Sequence, residues 1–261
     1  MEKSRLAIAG SGFLGGVIAE AWLKGFLPEY ELVGVFGRNG EKTAALAEKA
    51  GCKACGTMEE LLELRPDYVA EAASVQFVKD NAEKISAAGA SLVVLSIGAF
   101  ADQAFYEQVK EANRANGTKV YLASGAIGGF DVLRTVSLMG QVHSGIETHK
   151  GPKSLRNTPL FDEALMEAGV EKQVFAGNAK EAIALLPTKV NVAVAASLAT
   201  AGPDATSVQI TTVEGVVGDD HKITAEVPGV KAVVDIYSQT SEIAAWSVVA
   251  VLRNIVSPVV F

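Results

Sequence analysis

The chain has 261 residues, 23 Lys and Arg against 30 Asp and Glu, a net charge of −7, 49% hydrophobic residues and 25 glycines. That composition excludes a disordered or fibrous protein, and the length suits one large domain or two modest ones whose core needs neither disulfide nor metal. The acidic balance argues against a nucleic-acid partner, which would need clustered Lys and Arg.

The first 123 residues alternate strand and helix. An apolar strand over 6–9 runs into Gly10, Gly12 and Gly15, and helix formers without a breaker fill 17–23. A second strand over 31–36 is closed by Gly37, Arg38, Asn39 and Gly40, and a helix follows over 41–50. Thr57 caps a helix over 58–64; strands at 68–72, 91–95 and 119–123 then alternate with helices near 78–88 and 103–116. This alternation implies an α/β fold, a parallel sheet with helices on both faces.

After Gly125 the rhythm changes. Residues 130–139 read as helix and 142–148 as extended; helices at 159–168 and 179–186 flank a short strand at 173–175, and 191–201 is a small-residue helix. Strands at 207–213, 222–227 and 230–237 read as a consecutive antiparallel run, with His221 in a turn. The nearly all-apolar segment 242–255 reads as a helix buried on most faces, expected between the two halves. The expected domains are therefore 1–123, 124–238, and a closing helical segment 239–261. The longest nearly apolar stretches, 91–100 and 243–252, fall short of the roughly twenty residues a bilayer requires, and no charged-then-apolar leader opens the chain. A cytoplasmic protein without a membrane partner is expected.

Gly10-Ser11-Gly12-Phe13-Leu14-Gly15 is a G-x-G-x-x-G turn between a strand and a helix, with a second strand at the βαβ distance. In that setting the first glycine permits the turn, the second lets a pyrophosphate approach the backbone, and the third allows close packing of helix and strand. Residues 10–15 are thus candidates for holding a dinucleotide. At the end of the second strand, where an acidic residue would select NAD, the chain has Gly37-Arg38-Asn39. Arg38 can pair with a 2′-phosphate, so NADP is admitted; alternatively Arg38 is a solvated loop residue and NAD binds through Asn39 or backbone groups.

Chemistry at a C–N or C–O bond commonly needs a group that exchanges a proton near neutral pH, and the histidines are His143, His149 and His221. His221 follows Asp219-Asp220, whose carboxylates are expected to raise its pKa and orient the ring; a merely solvated turn histidine is the alternative. His143 and His149, six apart, suit no metal site, and no metal is expected. Cys52 and Cys55 form a C-x-x-C that reads better as small apolar side chains than as a redox pair, and Trp246 reads as core.

The chain resembles the L-aspartate dehydrogenase family over most of its length. The likeness rests on 10–15, Glu71-Ala72-Ala73-Ser74, Ser96-Ile97-Gly98-Ala99 with Asp102, and Ser124-Gly125-Ala126-Ile127-Gly128-Gly129-Phe130-Asp131. Lys150-Gly151-Pro152-Lys153-Ser154-Leu155, the stretch 175–179 with Pro187, and the Asn191-containing helix extend it. The resemblance implies a Rossmann doubly wound parallel sheet with a second, smaller α+β domain, commonly a homodimer. It also implies oxidation of L-aspartate by NAD or NADP to iminoaspartate, which hydrolyses to oxaloacetate and ammonia. By the same resemblance His221 is the catalytic histidine, and Ala126 and Asn191 contact the cofactor. Lys150, Lys153, Ser154 and Arg156 are then candidates to hold a substrate carboxylate, or else an exposed basic turn.

Two segments depart from the family pattern. Asp219 stands where relatives carry Asn, and Tyr237-Ser238-Gln239-Thr240-Ser241 stands where they carry Glu-Asn and Asn-Pro-Lys-Thr-Ser. The missing Lys removes a partner for a dicarboxylate, so a related amino-acid or imine substrate stays open. So do an imine or semialdehyde reductase of similar plan and a dinucleotide-binding sensor without catalysis.

Overall fold

The computed structural model describes residues 3–167, 169, 171–187 and 189–260. Its contacts divide the chain into two compact units, one of residues 1–125 with 242–261 and one of residues 126–241.

The first unit is built on a six-stranded sheet in which all pairings are parallel, in the order β3-β2-β1-β4-β5-β6. The strands are β1 (Ser4–Ala9), β2 (Tyr30–Phe36), β3 (Lys53–Cys55), β4 (Tyr68–Glu71), β5 (Ser91–Val94) and β6 (Val120–Leu122). This is the Rossmann order expected from the sequence; chain direction along the sheet reverses between β1 and β4, where such sheets bind ligands. Leu6, Ile8, Val35, Ala70 and Val93 are buried in its core, which explains the near-continuous apolar runs. The helices are α1 (Phe13–Leu23), α2 (Gly40–Ala50), α3 (Met58–Glu63), α4 (Val75–Ala87) and α5 (Gln103–Asn116). Side chains of Asn39, Thr57, Ser74 and Asp102 cap the last four by accepting backbone N–H groups. Strand β3 goes beyond the sequence reading, which saw only two apolar cysteines there. Cys55 is buried and Cys52 half-buried, both are free thiols, and burial pushes the Cys52 thiol up to about 11.

The second unit carries a five-stranded mixed sheet, ordered β11-β10-β7-β9-β8. Its strands are β7 (His143–Lys150), β8 (Glu171–Asn178), β9 (Ser207–Val213), β10 (Asp219–Val227) and β11 (Val230–Ser238). Two expectations are corrected. The last three strands are not a consecutive antiparallel run: β10 and β11 form a hairpin across Pro228-Gly229, but β9 pairs parallel with β7, which lies between β9 and β10. Gly215 and Gly218, both at positive φ, bound the connection that steps over β7. Nor is 159–168 a helix: a short 3-10 turn at Glu163–Met166 is capped by Asp162, and Ala168 lies outside the described residues. Helices α6 (Phe130–Leu138), α7 (Ala179–Leu185) and α8 (Asn191–Leu198) complete the unit, with α6 on β10 and β11 and α8 on β7.

Helix α9 (Glu242–Val256) returns to the first unit and packs on α1 and β5 through Ala245, Val248, Val249 and Leu252. Trp246 sits at the margin rather than in the core, 37% exposed, with its ring edge-on to Phe26. Among the described residues no helix is long and apolar enough to cross a membrane. The buried Tyr30 hydroxyl donates to Leu252 O at 2.7 Å, fastening β2 to α9. Tyr30→Phe is expected to lower unfolding free energy by about 1 kcal/mol, read as a shifted urea midpoint at unchanged slope.

Candidate active site

In the first unit, three glycines shape the turn after β1, each for a different reason. Gly10 has φ +129° and leaves no room for a side chain, since a Cβ there would strike Ala72 O. A Cβ on Gly15 would strike Gly10 O. Beside Gly12, by contrast, there is nothing within 4 Å. Gly12 is also the N-cap of α1, a helix without a side-chain cap and without an acidic residue in its first turn. No capping or acidic side chain of the helix thus competes for its first N–H groups and the positive end of its dipole, an arrangement that fits a pyrophosphate. Phe13, 62% exposed, and half-buried Leu14 open that helix.

Arg38 follows the end of β2 and is exposed, with no ion pair or hydrogen bond to the described residues. Thr43 Oγ1, buried, lies 2.9 Å from Ser11 Oγ and 2.8 Å from Asn39 O, so the glycine turn and the Arg38 loop are held together. Asn39 Oδ1 accepts from Lys42 N and caps α2.

A group whose part the sequence reading did not assign lies at the end of β4. Glu71 is fully buried and accepts from Ala73 N (2.7 Å), Leu95 N (3.1 Å), Ser96 N (2.9 Å) and Ser96 Oγ (2.8 Å). It clasps the carboxyl ends of β4 and β5 together. Burial raises its pKa against those four hydrogen bonds.

In the second unit His221 is not in a turn. It lies within β10, 2% exposed, because Asp219 and Asp220 pair with β7 and β11 and carry the ladder past the histidine. Register sets Thr148 opposite His221 and Lys150 opposite Asp219. Alternation puts these four side chains on one face and His149 and Asp220 on the other. Thr148 Oγ1 is 2.9 Å from His221 Nδ1. Lys150, at the buried end of β7, holds its Nζ 3.2 Å from Asp219 Oδ1.

The expected rise in the His221 pKa is overturned. Burial pushes it down to about 4, with Lys150 acting in the same sense and Asp219 only partly offsetting them. Nor is Lys150 part of an exposed turn: it is 4% exposed, whereas Lys153 and Arg156 are exposed. Lys153 and Ser154 sit on the 3-10 turn Pro152–Leu155 that follows β7, where the buried Ser154 Oγ has no partner among the described residues. Asn191 opens α8 and is half-buried, as is Ala126, the first residue of the unit. The sequence reading missed Thr148, whose importance appears only once β7 and β10 are in register.

Because His221 binds its proton more weakly folded than unfolded, the unfolded chain is protonated first as pH falls. The stability tied to the neutral ring is complete above pH 6.5 and is lost as pH falls toward 4, amounting to about 2 kcal/mol by pH 5. Urea titrations at pH 7.5 and 5 should show that loss shrinking in His221→Gln.

The profile of the homoserine dehydrogenase NAD-binding domain matches residues 10–123, and that of the aspartate dehydrogenase C-terminal region matches 131–255. The chain is 31% identical to the L-aspartate dehydrogenase of Methanosarcina barkeri over 98% of both chains. It is 36% identical to that of Archaeoglobus fulgidus over 74% of this chain and 71% of the other. The crystal structure of aspartate dehydrogenase from Thermotoga maritima superposes over the full length of both chains with TM-score 0.80 at 26% identity. Biliverdin reductase from Synechocystis, bound to biliverdin and NADP+, shares the fold alone, with TM-score 0.54 at 14% identity over 98% of this chain and 92% of that one. The glycine turn thus belongs to an NAD-binding domain, and the chain as a whole belongs to the L-aspartate dehydrogenase family.

Proposed function

We propose that the protein oxidises the CH–NH2 group of L-aspartate with NADP or NAD, giving iminoaspartate and then oxaloacetate and ammonia. The observation that carries this reading is His221: of the three histidines it alone is buried, held at one ring nitrogen, and flanked by a lysine and a carboxylate. The relatives named above support aspartate as the substrate.

In this reading 1–123 hold the dinucleotide, 124–238 act on the substrate, and 239–261 complete the structure. Gly10, Gly12, Phe13, Leu14 and Gly15 supply the turn and helix N-terminus for the pyrophosphate, and Arg38 takes a 2′-phosphate. Ala126 and Asn191 contact the cofactor from the second unit's sequence. The bound dinucleotide would supply the acceptor for the hydride of the substrate α-carbon. That carbon releases hydride only when its amine is neutral, and His221 takes the ammonium proton. His221 passes that proton to solvent, and when water adds to the imine carbon the neutral ring accepts the proton that water loses. The depressed pKa keeps the ring neutral across the neutral range, so that its lone pair is not already occupied by a proton. Lys153 and Ser154 hold substrate carboxylate, and Lys150 keeps donors for it beyond the one directed at Asp219. The acidic net charge supports a small-molecule enzyme without a nucleic-acid partner, and we place it in the cytoplasm as a homodimer.

His221→Ala should lower aspartate-dependent cofactor reduction by roughly a hundredfold or more while leaving the Kd for NADPH within a few-fold. Unchanged turnover removes His221 from the mechanism. Arg38→Ala should weaken NADPH about tenfold and NADH little; equal losses would assign Arg38 elsewhere. Gly12→Ala should fold with wild-type Tm yet bind dinucleotide at least about tenfold more weakly, whereas Gly15→Ala should lose stability itself.

A further inference from the structure

We propose that Thr148 is the positioning residue for His221, holding the ring through Nδ1 in both of its protonation states so that Nε2 is the atom that exchanges the proton. The inference rests on the reading of His221 as the proton-exchanging group.

Both side chains are buried, 6% and 2% exposed, and face each other across directly paired positions of β7 and β10. The Thr148 hydroxyl, 2.9 Å from Nδ1, is the one hydrogen-bond partner of the ring among the described residues, which leaves Nε2 unengaged. The charged neighbours, Lys150 and Asp219, are paired with each other and act on the ring through space. Being β-branched and set in a strand, Thr148 has a restricted χ1, so its hydroxyl is held in place before any ligand arrives.

The chemistry of that partner matters. A carboxylate at this position would accept from Nδ1–H and stabilise imidazolium, as in hydrolase triads. A hydroxyl carries no charge, and it can accept or donate by rotating about its C–O bond. With the ring proton on Nδ1, Thr148 accepts and Nε2 offers its lone pair to the substrate ammonium. Once Nε2 has taken that proton, Nδ1–H still donates to Thr148, and return of the proton from Nε2 restores the starting state. The histidine thus changes charge without losing its orientation.

Thr148→Val preserves shape and removes the hydroxyl. In the full-length enzyme, kcat should fall at least about tenfold, with KM for aspartate and Kd for NADPH within threefold of wild type. Thr148→Ser should restore kcat to within about threefold, since it returns the hydroxyl without the methyl group. The 15N resonance of His221 Nδ1 should move in Thr148→Val and return in Thr148→Ser, a response that loss of packing alone would not give. Thr148→Ala serves the same comparison if valine unfolds the chain. An unmoved Nδ1 resonance overturns the role of Thr148 whatever happens to turnover. A moved resonance with wild-type turnover overturns the role of Thr148 as well, whereas unchanged turnover in His221→Ala removes the reading of His221 on which it rests.

Discussion

The register between β7 and β10 is the constraint on which the second unit depends. Each inward-facing group there is defined by its partner across the ladder: Thr148 opposite His221 and Lys150 opposite Asp219. Because side chains alternate along a strand, a slip of one residue would bring Asp220 to the inner face and expel His221. Ile146 and Ile223, paired directly and both buried, pin that register with apolar contact. The polar cluster thus inherits its geometry from an ordinary hydrophobic alternation.

A comparable constraint operates in the first unit at the carboxyl ends of β1, β4 and β5. Gly10, Gly12 and Gly15 let the backbone turn, stand open, and pack closely in succession. Glu71 fastens the next two strand ends by gathering four donors onto one carboxylate. Isolated charge is costly to bury, but a carboxylate whose lone pairs are all met by N–H and O–H groups is tolerated and rigid. The result is a fixed rim beside the helix N-terminus rather than a set of independent loops.

Much of this was legible in the sequence because it is local. A strand, three glycines and a helix lie within about twenty residues, so the turn, the capping residues and the parallel sheet could be read in chain order. What escaped reading was non-local. Nothing in 207–213 says that its parallel partner is β7, since that pairing is made across a long connection. His221 was misplaced for a different reason: Asp219 and Asp220 after Gly218 look like turn residues. Yet counting back by twos from Val227 through Ala225 and Ile223 reaches His221, and a Lys at the inward position of β7 signals a buried counter-charge. The pKa expectation failed with the location, because adjacent carboxylates raise an imidazole only when desolvation does not outweigh them.

The two edges of the parallel sheet, β3 and β6, have a further consequence. Each is only three residues long, while the strands they flank reach seven in β2 and four in β5. A strand this short offers few unpaired backbone groups to an incoming chain, and β3 carries Lys53 at its exposed start. Sheets blunted in this way resist edge-to-edge growth, so the apolar interior that binds the cofactor domain together is guarded at its borders against aggregation.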